Sequence, residues 1–131
     1  MAVYSNGKIS LPKGVGLKTP AGGAVTLAGR ELKIAGDIVA PAGNIDLSSM
    51  LIAGLPDYTD TGIAVEGTIS THGQWVNDAP AIAGAGLGTA LIDAGEIRVL
   101  SVSGLELGEN SVVDVSGGGW LQADGSLQAG N

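Results

Sequence analysis

Short alternating pieces recur along the chain: ISL (9–11), LKI (32–34), IAV (63–65), IRV (97–99), LEL (105–107) and VDV (113–115). Each sets aliphatic residues at i and i+2 around a different residue, the period-two mark of a strand with one buried face. Gly or Pro returns every few residues between them. At ~1 and ~3 kcal/mol respectively in a helix interior, that spacing forbids long helices. The pattern predicts an all-β chain.

The pieces also repeat at longer range, a signal that decides architecture before anything else. LKTPAGGAVTL (17–27) is nearly restated by IVAPAGNIDL (38–47), and LKIAGDIVAPAG (32–43) is echoed by IAVEGTISTHG (63–73). Taking the aliphatic residue after the shared Gly as a reference gives Leu17, Ile38, Ile69, Leu91 and Val113, with steps of 21, 31, 22 and 22 residues. A second column follows it: Val25/Leu27, Ile45/Leu47, Trp75, Ile97/Val99 and Leu121. A third precedes it: Ile9/Leu11, Leu32/Ile34, Ile63/Val65, Leu87 and Leu105/Leu107.

Three strands per turn predict a parallel β-helix (β-solenoid) of about five turns of 21–22 residues, with an insert near 48–62. There SSMLIAGLPDYTDTG, with Pro56, Asp57, Tyr58, Thr59 and Asp60, interrupts the pattern. One such turn cannot bury its own inward row, but turns stacked ~4.8 Å apart pair every strand above and below. Gly and Asn suit the corners, and Pro20 and Pro41 are expected at one corner of successive turns, where no ladder donor is needed. The stretch from Trp75 to Gly88 blurs the alternation, and Asp93 falls at an inward place. A β-sandwich is the rival fold, but it needs hairpin turns that this spacing does not favour.

Composition narrows the class. A length of 131 residues favours a single domain, 1–131. Gly supplies 23 residues, more than twice the usual share of about 7%, and Phe is absent. Six Lys plus Arg against thirteen Asp plus Glu leave a formal net charge of −7, which speaks against a nucleic-acid partner or an anionic membrane surface. With no Cys, disulfides and thiolate metal sites are excluded. No run reaches the ~18 apolar residues of a membrane helix, and MAVYSNGKIS has no signal-peptide core.

The chemistry is sparse. Sugar-cleaving β-helices set acids side by side on one outer wall. Here the outward columns run Lys18, Val39, Ser70, Ile92, Asp114; Thr26, Asp46, Val76, Arg98, Gln122; and Ser10, Lys33, Ala64, Gly86, Glu106. None stacks two acids, so no catalytic residue is assigned. GAGLG (84–88) lacks dinucleotide-loop spacing, and NGKIS has Ile9 where a phosphate loop needs Ser or Thr. His72 is the lone histidine and is expected at a solvated corner. Asp57, Asp60 and Asp78 could meet around calcium but lack β-roll spacing, so no metal and no cofactor are assigned. Trp75, Trp120, Tyr58, Asp57 and Asp60 remain as candidate ligand contacts, because flat aromatic rings suit a sugar face.

The phrases PAGGAVTL, PAGNIDL, GTISTHGQWVND and VVDVSGGGWLQADGSLQAGN resemble the carrier repeats of filamentous-haemagglutinin-like large exoproteins, exported by two-partner secretion. The similarity runs from about Gly7 to Asn131. It implies a right-handed β-helical fibre, an outer-membrane transporter as partner, a secreted or bacterial cell-surface location, and adhesion or toxin display at a distal tip. The Asn-Pro motifs of the secretion domain and a toxin-like tail are missing. The resemblance is therefore to an internal segment of a larger protein, whose partners would be the neighbouring turns of its parent and a host receptor or glycan. The alternative is a carbohydrate-binding or carbohydrate-processing β-helix using the insert and the tryptophans. Uncovered end turns would also favour end-to-end self-association, which a net charge of −7 opposes and salt would then promote.

Overall fold

The computed structural model describes residues 1–50, 62–77, 91–122 and 124–131. Among them there are fifteen strands and no helix, as the density of Gly and Pro requires. Twelve strands form three parallel walls. Wall one holds β2 (Lys8–Leu11), β5 (Glu31–Ile34), β8 (Ile63–Val65) and β12 (Leu105–Leu107). Wall two holds β3 (Gly16–Lys18), β6 (Asp37–Val39), β9 (Thr68–Ser70) and β13 (Val112–Asp114). Wall three holds β1 (Ala2–Tyr4), β4 (Ala24–Gly29), β7 (Asn44–Ser49) and β11 (Glu96–Leu100). The chain visits walls one, two and three in order before returning to wall one, so each parallel pairing is reached through the other two walls.

All three walls drain into one core. Leu32, Ile34, Ile63 and Val65 of wall one, Ile38 and Ile69 of wall two, and Val25, Leu27, Ile45 and Leu47 of wall three are at most 2% exposed. Each such side chain contributes roughly 1.5–3 kcal/mol over leaving it in water. The ladders align like on like: Leu32 on Ile63 on Leu105, Leu17 on Ile38 on Ile69 on Val113, Val25 on Ile45 on Ile97. The corner with Pro20 and Pro41 stacks too, since Gly22 N–H donates to the Pro41 carbonyl at 2.8 Å and Ala42 N–H to that of His72 at 2.9 Å. Gly22 (φ 77°) and Ala42 (φ 51°) hold the same left-handed place in it.

The expected turn count is corrected. Leu91 does not lie between Ile69 and Val113, because β9 pairs directly with β13. Trp75 does not lie between Ile45 and Ile97, because β7 pairs directly with β11. Nor does Leu87 separate Ile63 from Leu105, for β8 pairs directly with β12, and Leu87 itself lies outside the described residues. The two 22-residue steps merge into one level, so among the described residues each wall is four strands deep rather than five.

The surplus chain leaves the walls after Thr71. It forms β10 (Trp75–Asn77), which pairs in parallel with β14 (Gly119–Leu121); β14 pairs antiparallel with β15 (Leu127–Ala129). Leu121 therefore belongs to this side sheet, not to wall three. Gly95 N–H donates to the Thr71 carbonyl at 2.8 Å and closes the neck of the excursion. Such an excursion costs little, since closure entropy grows only logarithmically with length. Asp93, expected inward, is exposed beside this neck and accepts the Asn131 N–H at 2.9 Å.

The insert placed at 48–62 begins later than expected. β7 runs through Ser49, and Met50 N–H still donates to the Gly29 carbonyl at 2.9 Å. Ser49 is 4% exposed, and its Oγ lies 3.1 Å from that of Ser101. Residues 51–61 of that segment lie outside the described residues.

Glycine is required where turns touch. Gly23, Gly43 and Gly95 precede β4, β7 and β11 in one column, and Asn44 and Glu96 donate to the Gly23 and Gly43 carbonyls, each at 3.0 Å. A Cβ on Gly43 would collide with the Gly23 carbonyl, and one on Gly95 with that of Gly43. Gly43→Ala should therefore cost about 1–3 kcal/mol in a urea melt. Gly104→Ala, where the added carbon meets nothing, should leave the melt unchanged.

Candidate functional site

The outer face of wall two carries the ladder Lys18, Val39, Ser70, Asp114, as expected apart from Ile92, which is buried elsewhere. Across the last two levels it brings together three groups with the chemistry of an acid, a base and a hydroxyl. Ser70 Oγ lies 2.8 Å from His72 Nδ1 and donates to Asp114 Oδ2 at 3.2 Å; His72 N–H donates to the same Oγ at 3.3 Å. The alternation of wall two puts Ser70 and Asp114 on one face, and the corner after β9 turns His72 back toward them.

The order of the three is wrong for nucleophilic catalysis. A working triad sets imidazole between acid and hydroxyl, so that the ring takes the hydroxyl proton. Here the hydroxyl sits between imidazole and acid. With its proton directed to Asp114, Ser70 Oγ must accept from His72, which assigns the ring proton to Nδ1. Ser70 is also only 4% exposed. The trio braces one level of the stack against the next. His72, expected as a solvated corner residue, is at that corner but half-buried in this brace.

Asp114 is held below its ordinary value of 3.8, first by the Ser116 hydroxyl and N–H, then by Ser70 and the neighbouring His72. A depressed carboxylate stabilises the fold above its unfolded value and loses that contribution as pH falls through the folded one.

The candidate ligand contacts do not converge. Trp75 is opposite Gly119 and Trp120 opposite Val76. Successive positions along a strand face opposite ways, so the two indoles lie on opposite faces of the side sheet. Trp75 is 72% exposed, with the benzo edge of its ring over buried Gly119, whereas Trp120 is half-buried. Tyr58, Asp57, Asp60 and Asp78 lie outside the described residues. Among the described residues no three His, Asp or Glu side chains are grouped to hold a metal ion.

Two shallow grooves of about 300 and 330 Å³ flank the corners of wall one. The first is lined by Glu31, Ile63, Leu105 and Glu106, the second by Lys13, Glu66 and Glu109. Counting strand columns alone misses the two acids of the second groove, because corners of unequal length bring Glu66 and Glu109 to one edge. A count of corner lengths would have found them.

The glycines of SGGGW have a packing role. Gly118 N–H donates to the Ile92 carbonyl at 2.7 Å, and a Cβ on Gly73 or Gly130 would strike that same oxygen. This convergence pins the returning chain to the side sheet. No protein-family model, curated protein or solved structure matches this chain.

Asp114→Asn should lower stability at neutral pH and flatten its decline below about pH 4 relative to the unsubstituted protein. Thermal melts from pH 2 to 7 read both effects; parallel curves would mean that the carboxylate is not braced.

Proposed function

We propose that this chain is a non-enzymatic length of right-handed parallel β-helix, a shaft or carrier segment of a secreted, adhesin-like bacterial exoprotein that displays distal adhesive or toxic regions. The observation that carries the reading is the repeated order of walls one, two and three around a single aliphatic core. Such a coil lengthens by adding turns, each covering the last. The outward ladders repeat no chemistry from level to level: Lys18, Val39, Ser70, Asp114 on one wall and Ser10, Lys33, Ala64, Glu106 on another. A surface of that kind suits a spacer better than a cleft. The PAGGAVTL and DVSGGGW phrases add the resemblance to two-partner-secretion exoproteins.

A second reading has one observation in its favour. Trp75 presents most of its ring to solvent, as a sugar-stacking platform would. Glycan binding that disappears in Trp75→Ala would support a carbohydrate-binding module instead.

Two measurements test the shaft. Ile38→Asp sets a charge in the core and should cost several kcal/mol or prevent folding. Val39→Asp, one place along and beside Lys18, should stay within about 0.5 kcal/mol; equal losses would refute the coil's register. Fused behind a two-partner secretion domain and expressed with its transporter, the chain should reach the cell surface. Retention inside the cell would refute the exoprotein assignment.

A further inference from the structure

The two ends of the stack match in phase. At one end the edge strands of walls three, one and two are β1, β2 and β3; at the other they are β11, β12 and β13. A second copy set end on end would lay β1 on β11, β2 on β12 and β3 on β13, continuing the coil with no wall skipped or doubled. The Asn131 carbonyl accepts from Ala94, upstream of β11, and among the described residues no strand pairs with the outer edge of β11, β12 or β13.

The ends also match in shape. β2 leads to β3 through residues 12–15, and β12 leads to β13 through 108–111. Each corner closes with an i to i+3 hydrogen bond, Val15 N–H to Pro12 at 3.1 Å and Ser111 N–H to Gly108 at 3.0 Å. The two inner levels turn instead through Ala35–Gly36 and Glu66–Gly67 alone. The terminal corners thus share a length of four residues, and the inner corners a length of two.

Charge and exposure complete the complementarity. Residues 1–30 contain Lys8, Lys13, Lys18 and Arg30 and no acid, with Lys8 paired to Glu31 at 3.5 Å; residues 96–131 contain Glu96, Glu106, Glu109, Asp114 and Asp124 against a single base, Arg98, which pairs with Glu96 at 2.8 Å. Continued across the junction, the ladder that sets Leu17 and Val113 in one column puts Lys18 on Asp114, and the matched corners put Lys13 on Glu109. The apolar section between them is open. Leu105, Leu107 and Val113 are 48%, 54% and 47% exposed, while Ile63, Val65 and Ile69 one level below are at most 2%.

We propose that this chain stacks head to tail on a second copy of itself, the acidic β11–β13 end of one receiving the basic β1–β3 end of the next. The proposal rests on the β-helical coil named above, not on the secretion route. A head-to-tail contact is heterologous and does not close on itself, so it yields a ladder of species rather than a dimer. The net charge of −7 taken alone predicts that salt promotes association; the separation of charge to opposite ends predicts that salt weakens it.

Sedimentation velocity of the 131-residue chain across protein and salt concentration tests this. Species beyond the dimer should grow with concentration at low salt and recede as salt rises. Glu109→Lys should weaken association roughly fivefold or more, and pairing it with Lys13→Glu should restore it to within about twofold. Leu105→Lys should abolish stacking while leaving the β circular dichroism unchanged. A strict monomer, a closed dimer, association that strengthens with salt, or a charge swap that fails to restore it would each overturn the proposal. The Ile38→Asp melt judges the coil separately, so failure of the stacking and failure of the coil are distinguishable.

Discussion

Every level of this molecule depends on the level next to it. A strand of three or four residues has neither the hydrogen bonds nor the buried area to hold its shape, and its ladder partner lies in another turn of the chain. Ile38 is fully buried because Leu17 and Ile69 lie above and below it in the same column and the other two walls close the sides. Stability is thus a nearest-neighbour property, and it fades at the ends, where Val113 sits in the same column as Ile69 yet stands half in water.

The same dependence dictates the polar details. Turns a strand spacing apart leave no room for a Cβ wherever one corner rests on another, which is why Gly23, Gly43 and Gly95 form a column and why three glycines converge around the Ile92 carbonyl. Ser49 with Ser101, and Ser70 with Asp114, add side-chain links between levels that the backbone ladders already join. Thr71 is the exception: its hydroxyl is buried without a partner among the described residues. What resembles a catalytic trio at Ser70, His72 and Asp114 is better understood as part of this bracing. Its hydroxyl is spent on a carboxylate and shielded from solvent.

The fold also separates charge along its own axis. Sequence order is stacking order, so a chain that begins basic and ends acidic becomes a body with oppositely charged ends. The total of −7 conceals that arrangement. Whether the ends meet neighbouring turns, as in the proposed shaft, or copies of themselves, the chemistry they present is the same: strand edges unpaired among the described residues, an apolar section and complementary rims.

Local pattern is enough to set the strands, their inward faces and most of their partners. Alternation around Ile9, Leu32 and Ile63 and the restated Pro-Ala-Gly corner fix these locally, because period-two burial and corner geometry are written in adjacent residues. It did not determine how many levels there are. Two 22-residue steps and one turn with a side excursion have the same length, and only the direct pairing of β9 with β13 separates them. Nor did it place Trp75 and Trp120 on opposite faces, or bring His72 to Ser70. Those outcomes turn on where the chain leaves the walls after Thr71 and where Gly95 closes the neck, contacts between residues far apart in sequence that no local pattern encodes.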